Sequence, residues 1–450
     1  MSTVAFPLDA LARMHELAAN HADESCAFGF VQPASPTGPL GQRRHVVRAL
    51  EPVPQEAYQL RTPGRVSLTS EFMLAVANRA RAEGAGVALL HTHPGADALD
   101  GFSSVDDAGE MPLADYFGAR LSDQTHFAGV VTHSNLHLRE LGCGPSVTAV
   151  GIGPTVRIYG VQPAGAHSEL RYDRQVRAFG EDGQARLRGA RVAIVGAGGT
   201  GSFIAHELAH LGIGQLLLVD HDTVDTSNLN RLLGATPGDA GVPKVAVAQR
   251  SVLAINPQVQ CEAVVGDIVD ATVASQLLGV DFIFSCTDSM ASRAVINQVA
   301  YQYLIPAIDM GVAIHVREDR IASVTGRVQM LSPGLGCLVC GDGLDGQQVR
   351  WEFMSAAQRR ADPYFENASV PQPAVMPLNG VVTSAAVSMF LSALTGYPGD
   401  ARLLHYDGIR GSIRPQLLVP RPRCIVCSDE GALARGDAWS LPVRKEPGHG

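Results

Sequence analysis

Residues 91–107 read HTHPGADALDGFSSVDD, which places His91 and His93 one residue apart and Asp106 further down the chain. The two histidines end a strand-like run, GVALLHTH, where alternate residues share a face, so both imidazoles point the same way. Asp106 arrives from the following loop or from the first turn of a helix. Two imidazoles and one carboxylate, with a coordination position left over, are the ligand set of a catalytic rather than a structural zinc ion. The water on such an ion needs a base that is not itself a ligand. Glu24 in DESCAFGF, where a helical run gives way to an apolar strand, is the candidate. The competing reading makes the histidines ordinary strand residues and the acids a solvated loop.

A second group of candidates lies downstream. The run RVAIVGAGGTGSFIAHELAHLG sets Gly196, Gly198, Gly199 and Gly201 between an apolar strand and a helix, where backbone N–H groups and the helix dipole can hold phosphate. Asp220, closing the next strand, suits a ribose hydroxyl and by itself fits a nicotinamide dehydrogenase equally well. VDHDTVDTSNLNRLL then gathers Asp220, Asp222, Asn228 and Arg231, and Lys244 opens the next helix. These added cations suit a triphosphate, whose leaving pyrophosphate must be neutralised. Asp288, after the apolar run FIFSC, is placed to hold a magnesium ion near the α-phosphate. Cys337/Cys340 and Cys424/Cys427 form two CxxC pairs, the spacing of a four-cysteine structural zinc site; redox pairs or buried thiols are the alternatives.

Taken in order, RYDRQ, GAGGTG, DHDTVDTSNLNR, Lys244 and CTDS resemble the ubiquitin-activating-enzyme superfamily and its ThiF and MoeB-type members, from about Arg171 to Cys427. The resemblance implies a homodimer or pseudodimer that uses ATP and Mg2+ to convert the C-terminal glycine of a β-grasp, ubiquitin-like protein into an acyl-adenylate. By family position Asp220 would hold the ribose, Asn228, Arg231 and Lys244 the phosphates, and Asp288 the metal, while Arg174 would reach the partner subunit's site. Leu232 departs from the glutamine of many members. Thioester-forming members place a cysteine in the crossover segment, yet WEFMSAAQRRADPYFENASVPQPAVMPLNG has none. The adenylate is therefore expected to pass to an external sulfur donor or a conjugating enzyme.

Glu24, HxHP and SxxD together resemble the JAB/MPN metalloprotease motif, over about residues 8–145. That resemblance implies His91, His93 and Asp106 as ligands, Glu24 as general acid/base and Ser103 as a hydrogen-bond donor to the oxyanion. Asp106 rather than Asp107 fits SxxD counted from Ser103. JAB-type enzymes cut after the terminal glycine of ubiquitin-like proteins. The two resemblances thus imply a bifunctional enzyme that trims or deconjugates a ubiquitin-like or sulfur-carrier protein and adenylates its glycine. A first domain that only docks the carrier, or a nicotinamide oxidoreductase, are the alternatives.

The elements that must position these residues divide the 450-residue chain into more than one domain. Residues 1–148 mix strands and helices and read as an α+β JAB/MPN-like domain. Gly- and Pro-rich residues 149–169 read as a linker. Residues 170–435 alternate short apolar strands with helices, the pattern of a Rossmann-like, doubly wound α/β domain, and 436–450 read as a tail. A balance of 35 Lys+Arg against 44 Asp+Glu, net -9, offers no field for nucleic acid. The longest helix-like apolar run, 381–396, falls short of a membrane span. No signal peptide is seen at the N-terminus, so the expected compartment is the cytoplasm.

Overall fold

The computed structural model of the chain describes residues 2–36, 43–160, 169–354, 358 and 373–444. Described residues within 1–35, 42–163 and 433–440 form a first compact unit, and those within 36–41, 164–432 and 441–450 form a second.

The first unit runs β1 (Thr3–Pro7), α1 (Leu8–Asn20), β2 (Cys26–Ala34), β3 (Arg44–Val47), β4 (Glu51–Pro52), β5 (Tyr58–Thr62), β6 (Arg65–Leu68), α2 (Ser70–Glu83), β7 (Gly86–Thr92), α3 (Ser104–Arg120), β8 (Phe127–Val131), β9 (Leu136–Glu140), β10 (Ser146–Ile152) and β11 (Val156–Tyr159). Helix α1 buries Ala10, Leu11, Met14 and Ala18, a stripe at helical spacing. Helix α2 starts where Thr69 Oγ accepts the Phe72 N–H and stops at Gly84, which takes the left-handed conformation. The main sheet has the order β1-β3-β2-β7-β8-β9-β10-β11, and β1 also pairs in parallel with β10, so the path returns to its start. Phe6, Leu11, Met14 and Phe127 pack together in one core; Phe28, Phe30, Met73, Val76 and Phe117 pack in another, built with α2 and α3. Each fully buried large side chain contributes about 1.5–3 kcal/mol.

Two boundaries differ from expectation. The stretch expected to begin a linker at 149 instead forms β10 and β11, because the continuous run Ala149–Ile152 and Val156 are buried and Gly153-Pro154 turn the chain between the two strands. Residues 161–168 of that linker lie outside the described residues. Residues 433–440, expected at the end of the second domain and the start of a tail, belong to the first unit. There Asp437 Oδ2 accepts from Ser35 Oγ at 2.7 Å, and a Cβ on Gly436 would meet the Pro33 carbonyl oxygen at 2.6 Å.

The second unit runs α4 (Asp173–Gly189), β12 (Arg191–Val195), α5 (Gly201–Leu211), β13 (Gln215–Asp220), α6 (Lys244–Ile255), β14 (Gln260–Val265), α7 (Ala271–Ala274), β15 (Phe282–Ser285), α8 (Met290–Gln302), β16 (Ala307–Arg317), β17 (Arg320–Leu331), α9 (Gly346–Phe353), α10 (Met376–Leu394), β18 (Leu403–Asp407) and β19 (Ser412–Pro415). Its sheet order is β14-β13-β12-β15-β16-β17-β18-β19. The first five strands are parallel, as a doubly wound α/β domain requires, and β17–β19 continue antiparallel. Strands β12 and β15 are buried along their whole length. Chain order reverses between them, and ligands of such sheets bind beyond the strand C-termini at that point. Helix α10 starts at Met376, ahead of the expected apolar run, and is long and apolar enough to cross a membrane; it instead buries Val382, Ala386, Met389 and Phe390 against β16, β17 and α5.

Candidate functional site

The glycine loop follows β12 at the reversal point. Gly196 has φ 94° and lies so close to the end of β15 that a Cβ would sit 2.5 Å from the Cys286 carbonyl oxygen. Gly201 opens α5 directly over the Gly196 carbonyl, where a Cβ would be 1.8 Å away. Gly198 faces open space, room that a phosphate group fits, and a Cβ on Gly199 would touch the Arg231 stem at 3.3 Å and Asn379 Nδ2 at 2.7 Å. Asp220 Oδ2 accepts the Ala197 N–H at 2.7 Å and Oδ1 accepts the Asp222 N–H at 2.8 Å, which ties the end of β13 to the loop.

Of the predicted cations, Arg231 borders the loop and Lys244 pairs with Asp222 just beyond β13. Lys244 Nζ lies 2.6 Å from Asp222 Oδ2. Burial works against ionisation of Asp222, but the Lys244 ammonium outweighs it and holds the carboxyl below its ordinary value. Arg231 donates to the Ser227 carbonyl at 2.7 Å, and Asn228 Oδ1 accepts the Asp225 N–H at 3.2 Å in a capping box that shapes the turn. Asp288 is exposed, one residue beyond Thr287, whose backbone borders Gly196. One carboxylate fits magnesium, which is held largely by water and phosphate oxygens. Arg174 is exposed on α4 and makes no ion pair among the described residues.

The two CxxC pairs converge. Sγ–Sγ separations are 3.4 Å for Cys337–Cys424, 3.4 Å for Cys340–Cys427 and 3.7 Å for Cys337–Cys340, and all four sulfurs lie within 4.8 Å of one another. Tetrahedral zinc with Zn–S near 2.3 Å sets its sulfurs about 3.8 Å apart, so this buried cluster fits the ion. The Arg421 N–H also donates to Cys340 Sγ at 3.2 Å. Of the four remaining thiols, burial pushes Cys26, Cys261 and Cys286 up to about 12, and Cys143 is exposed.

In the first unit, β2 and β7 pair antiparallel with Cys26 opposite His91, which sets Glu24 beside the histidine end of β7. Thr92, fully buried between the histidines, accepts the Ser25 N–H on Oγ1 at 2.9 Å and donates its own N–H to the Ser25 carbonyl at 2.9 Å. Arg61 grips the same segment from β5, donating to the Glu24 carbonyl at 2.8 Å and to Ser25 Oγ. His91 Nε2 lies 3.1 Å from His93 Nε2 and 3.0 Å from Asp106 Oδ1, with His93 Nε2 3.4 Å from Asp106 Oδ2. Tetrahedral N/O ligands of zinc sit about 3.3 Å apart, so the triad fits that ion. Burial raises the Glu24 carboxyl, while the two imidazoles oppose the shift. Burial disfavours the Asp106 anion, yet hydrogen bonds from His91, His93 and the Ser103 amide hold this carboxyl well below the usual range. The Asp106 hydrogen bond raises His93.

The SxxD spacing carries a structural meaning as well. Ser103 caps α3: its Oγ accepts the Asp106 N–H at 3.3 Å and its N–H donates to Asp106 Oδ2 at 2.6 Å, a capping box that aims the other carboxylate oxygen at His91. Asp107 pairs with Arg139 at 2.7 Å and stays out of the triad.

Residues 172–426 match the ThiF family, more than half of the chain. The chain belongs to the ThiF family. It is 32% identical over 262 residues to molybdopterin-synthase adenylyltransferase of Escherichia coli strain K12, covering 57% of this chain and 96% of that protein. It is 30% identical over 283 residues to ubiquitin-like modifier-activating enzyme 5 of Arabidopsis thaliana, covering 58% of this chain and 59% of the relative. A crystal structure of E. coli MccB with MccA-N7isoASN superposes on 59% of this chain and 77% of that one at 20% identity, with a TM-score of 0.49. The ThiF match begins at Tyr172 and leaves the histidine site outside it. Three residues that the motifs did not signal border the sites: Asn379 at the ThiF glycine loop, and Arg61 and Thr92 beside Glu24. Only Thr92 had a local cue, its place between two candidate ligands.

Proposed function

We propose that the second unit adenylates the C-terminal glycine of a β-grasp protein of the ubiquitin-like or sulfur-carrier kind. What carries this reading is ThiF family membership together with the glycine loop at the sheet's reversal point, bordered by the Arg231 stem. The names of the bacterial and plant relatives support it. In this reading the glycine carboxylate attacks the α-phosphorus of ATP and pyrophosphate leaves with the displaced bond's electron pair. Asp220 holds the ribose, the loop N–H groups with Asn228, Arg231 and Lys244 hold the phosphates, and Asp288 holds Mg2+, which supplies positive charge when bound. Arg174 completes the site of a second copy in a homodimer. The cysteine-free crossover sequence favours release of the adenylate to an external sulfur donor or conjugating enzyme.

A second activity rests on one specific observation, the 3.0–3.4 Å triad of His91, His93 and Asp106 with Glu24 beside it. This supports a JAB/MPN-type zinc peptidase or isopeptidase that trims or deconjugates the same carrier. His91, His93 and Asp106 would hold a zinc ion that lowers the pKa of a bound water; Glu24 would take that water's proton as its oxygen bonds to the carbonyl carbon and pass it to the amine as the C–N bond breaks, and the Ser103 hydroxyl would donate to the oxyanion. A first unit that only docks the carrier is the competing reading.

One experiment separates them. The full chain, with zinc, ATP and magnesium, is incubated with a ubiquitin-like protein extended past its diglycine, and intact mass and pyrophosphate are followed. Loss of the extension followed by pyrophosphate release supports both activities, with Glu24→Ala abolishing the first alone and Asp288→Ala the second alone. Pyrophosphate from a pre-trimmed carrier only, with the extension never cut, leaves docking or deconjugation as the first unit's role.

A further inference from the structure

Helix α3 carries Asp106 in its first turn, yet little apolar packing holds that end. Of its residues only Glu110 and Phe117 are buried, and Pro112 lacks the N–H that would bond the Ala108 carbonyl. The first turns are instead gripped by one side chain from β9. Arg139 Nη2 lies 2.7 Å from Asp107 Oδ1 and 2.6 Å from Glu110 Oε1, its Nε lies 3.0 Å from Glu110 Oε1, and its guanidinium stacks 3.7 Å from the centre of the Phe102 ring. Glu110, itself buried, uses its second oxygen to accept the N–H groups of Gly142 and Cys143 at 3.2 Å each. Residues 102, 107 and 110 flank the Ser103–Asp106 capping box on both sides.

We propose that Arg139 is a positioning residue for a metal ion at His91, His93 and Asp106: its fork fixes the start of α3 to β9 and thereby sets the direction of the Asp106 carboxylate. This rests on the metal-site reading above and adds to it a residue that touches no ligand atom. The planar fork matters, because a lysine carries the charge but cannot bond Asp107 and Glu110 while lying flat on Phe102.

The test uses the full chain. Because removing Arg139 alone strands the buried Glu110 charge, the main variant is the double Arg139→Gln/Glu110→Gln, with Arg139→Lys beside it. Metal affinity is measured by chelator competition with zinc, and repeated with cobalt(II), whose thiolate charge-transfer absorption reports the four-cysteine site alone. The double variant is expected to bind metal at the histidine site ten- to a hundredfold more weakly, the range found when partners of metal ligands are removed, with Arg139→Lys in between and the thiolate absorption unchanged. A double variant that loses thermal stability but keeps wild-type metal affinity overturns the inference, since a purely structural clamp would behave so. Wild-type protein that takes metal only at the cysteines overturns the metal-site reading and the inference together.

Discussion

Replacing Lys244 with methionine keeps the stem and removes the ammonium. In the structure that ammonium sits 2.6 Å from Asp222, with the lysine side chain 13% exposed and the aspartate 51% exposed. With the aspartate half exposed, the pair contributes roughly 0–1 kcal/mol to folding. The Lys244 N–H bond to the Asp222 carbonyl at 3.0 Å is unaffected by the substitution. The melting temperature should therefore fall by no more than roughly 2–4 °C. Nucleotide binding should respond more strongly. A hydrogen bond from an ammonium to a phosphate is worth about 1.5–3 kcal/mol, which corresponds to a roughly ten- to hundredfold weaker Kd for Mg-ATP. Calorimetric titration of the full chain with Mg-ATP measures this without any carrier protein. Asp222→Asn is the paired control: it frees the lysine and should leave Mg-ATP binding at least as tight as in the wild type. A normally folded Lys244→Met protein that binds Mg-ATP within about twofold of wild type, well under 1 kcal/mol, would remove Lys244 from the phosphate site.

Cys424→Ser should release the zinc of the four-cysteine cluster and destabilise the second unit by several kcal/mol, because structural zinc sites bind with on the order of 10 kcal/mol; zinc content and melting curves check it. Glu207 on α5 is raised by burial, accepts from Ser384 Oγ at 2.7 Å and leaves Oε2 without a partner among the described residues. Its charge therefore costs stability above its raised folded value and costs nothing below its unfolded one. Glu207→Gln should raise the melting temperature at pH 7, and the gain should vanish below about pH 4; a gain that grows on acidification would contradict this. In the proposed homodimer, Arg174→Ala and Asp288→Ala should each abolish adenylation, while equal mixtures of re-associated subunits should regain about a quarter of wild-type activity, since half the dimers then hold one complete site.

Much of the candidate site was legible because it is carried by local patterns. The glycine loop, Lys244 at the head of a helix and the two CxxC pairs each occupy a few consecutive residues, and their spacing survives folding unchanged. What stayed hidden is long-range or lacks its usual marker. Arg61 and Arg139 reach residues far along the chain, and an arginine on an ordinary strand gives no sign of what it will grip. The β16–β17 turn uses Glu318 and Asp319, both at positive φ, where a two-residue hairpin usually shows glycine or asparagine. Gly- and Pro-rich residues near 149 read as a linker because the same residue types that separate domains also turn hairpins. SxxD illustrates overlap: one spacing serves a helix cap and a candidate ligand together.

The most direct test of the central claim is ATP–pyrophosphate exchange by the full chain with Mg2+ and a panel of β-grasp proteins ending in a free diglycine, each beside a copy whose terminal carboxylate is amidated. Exchange is expected with at least one free-tailed carrier, none with its amidated copy, and loss of exchange in Asp288→Ala. Equal exchange with free and amidated tails, or nicotinamide binding with no exchange at all, would contradict it.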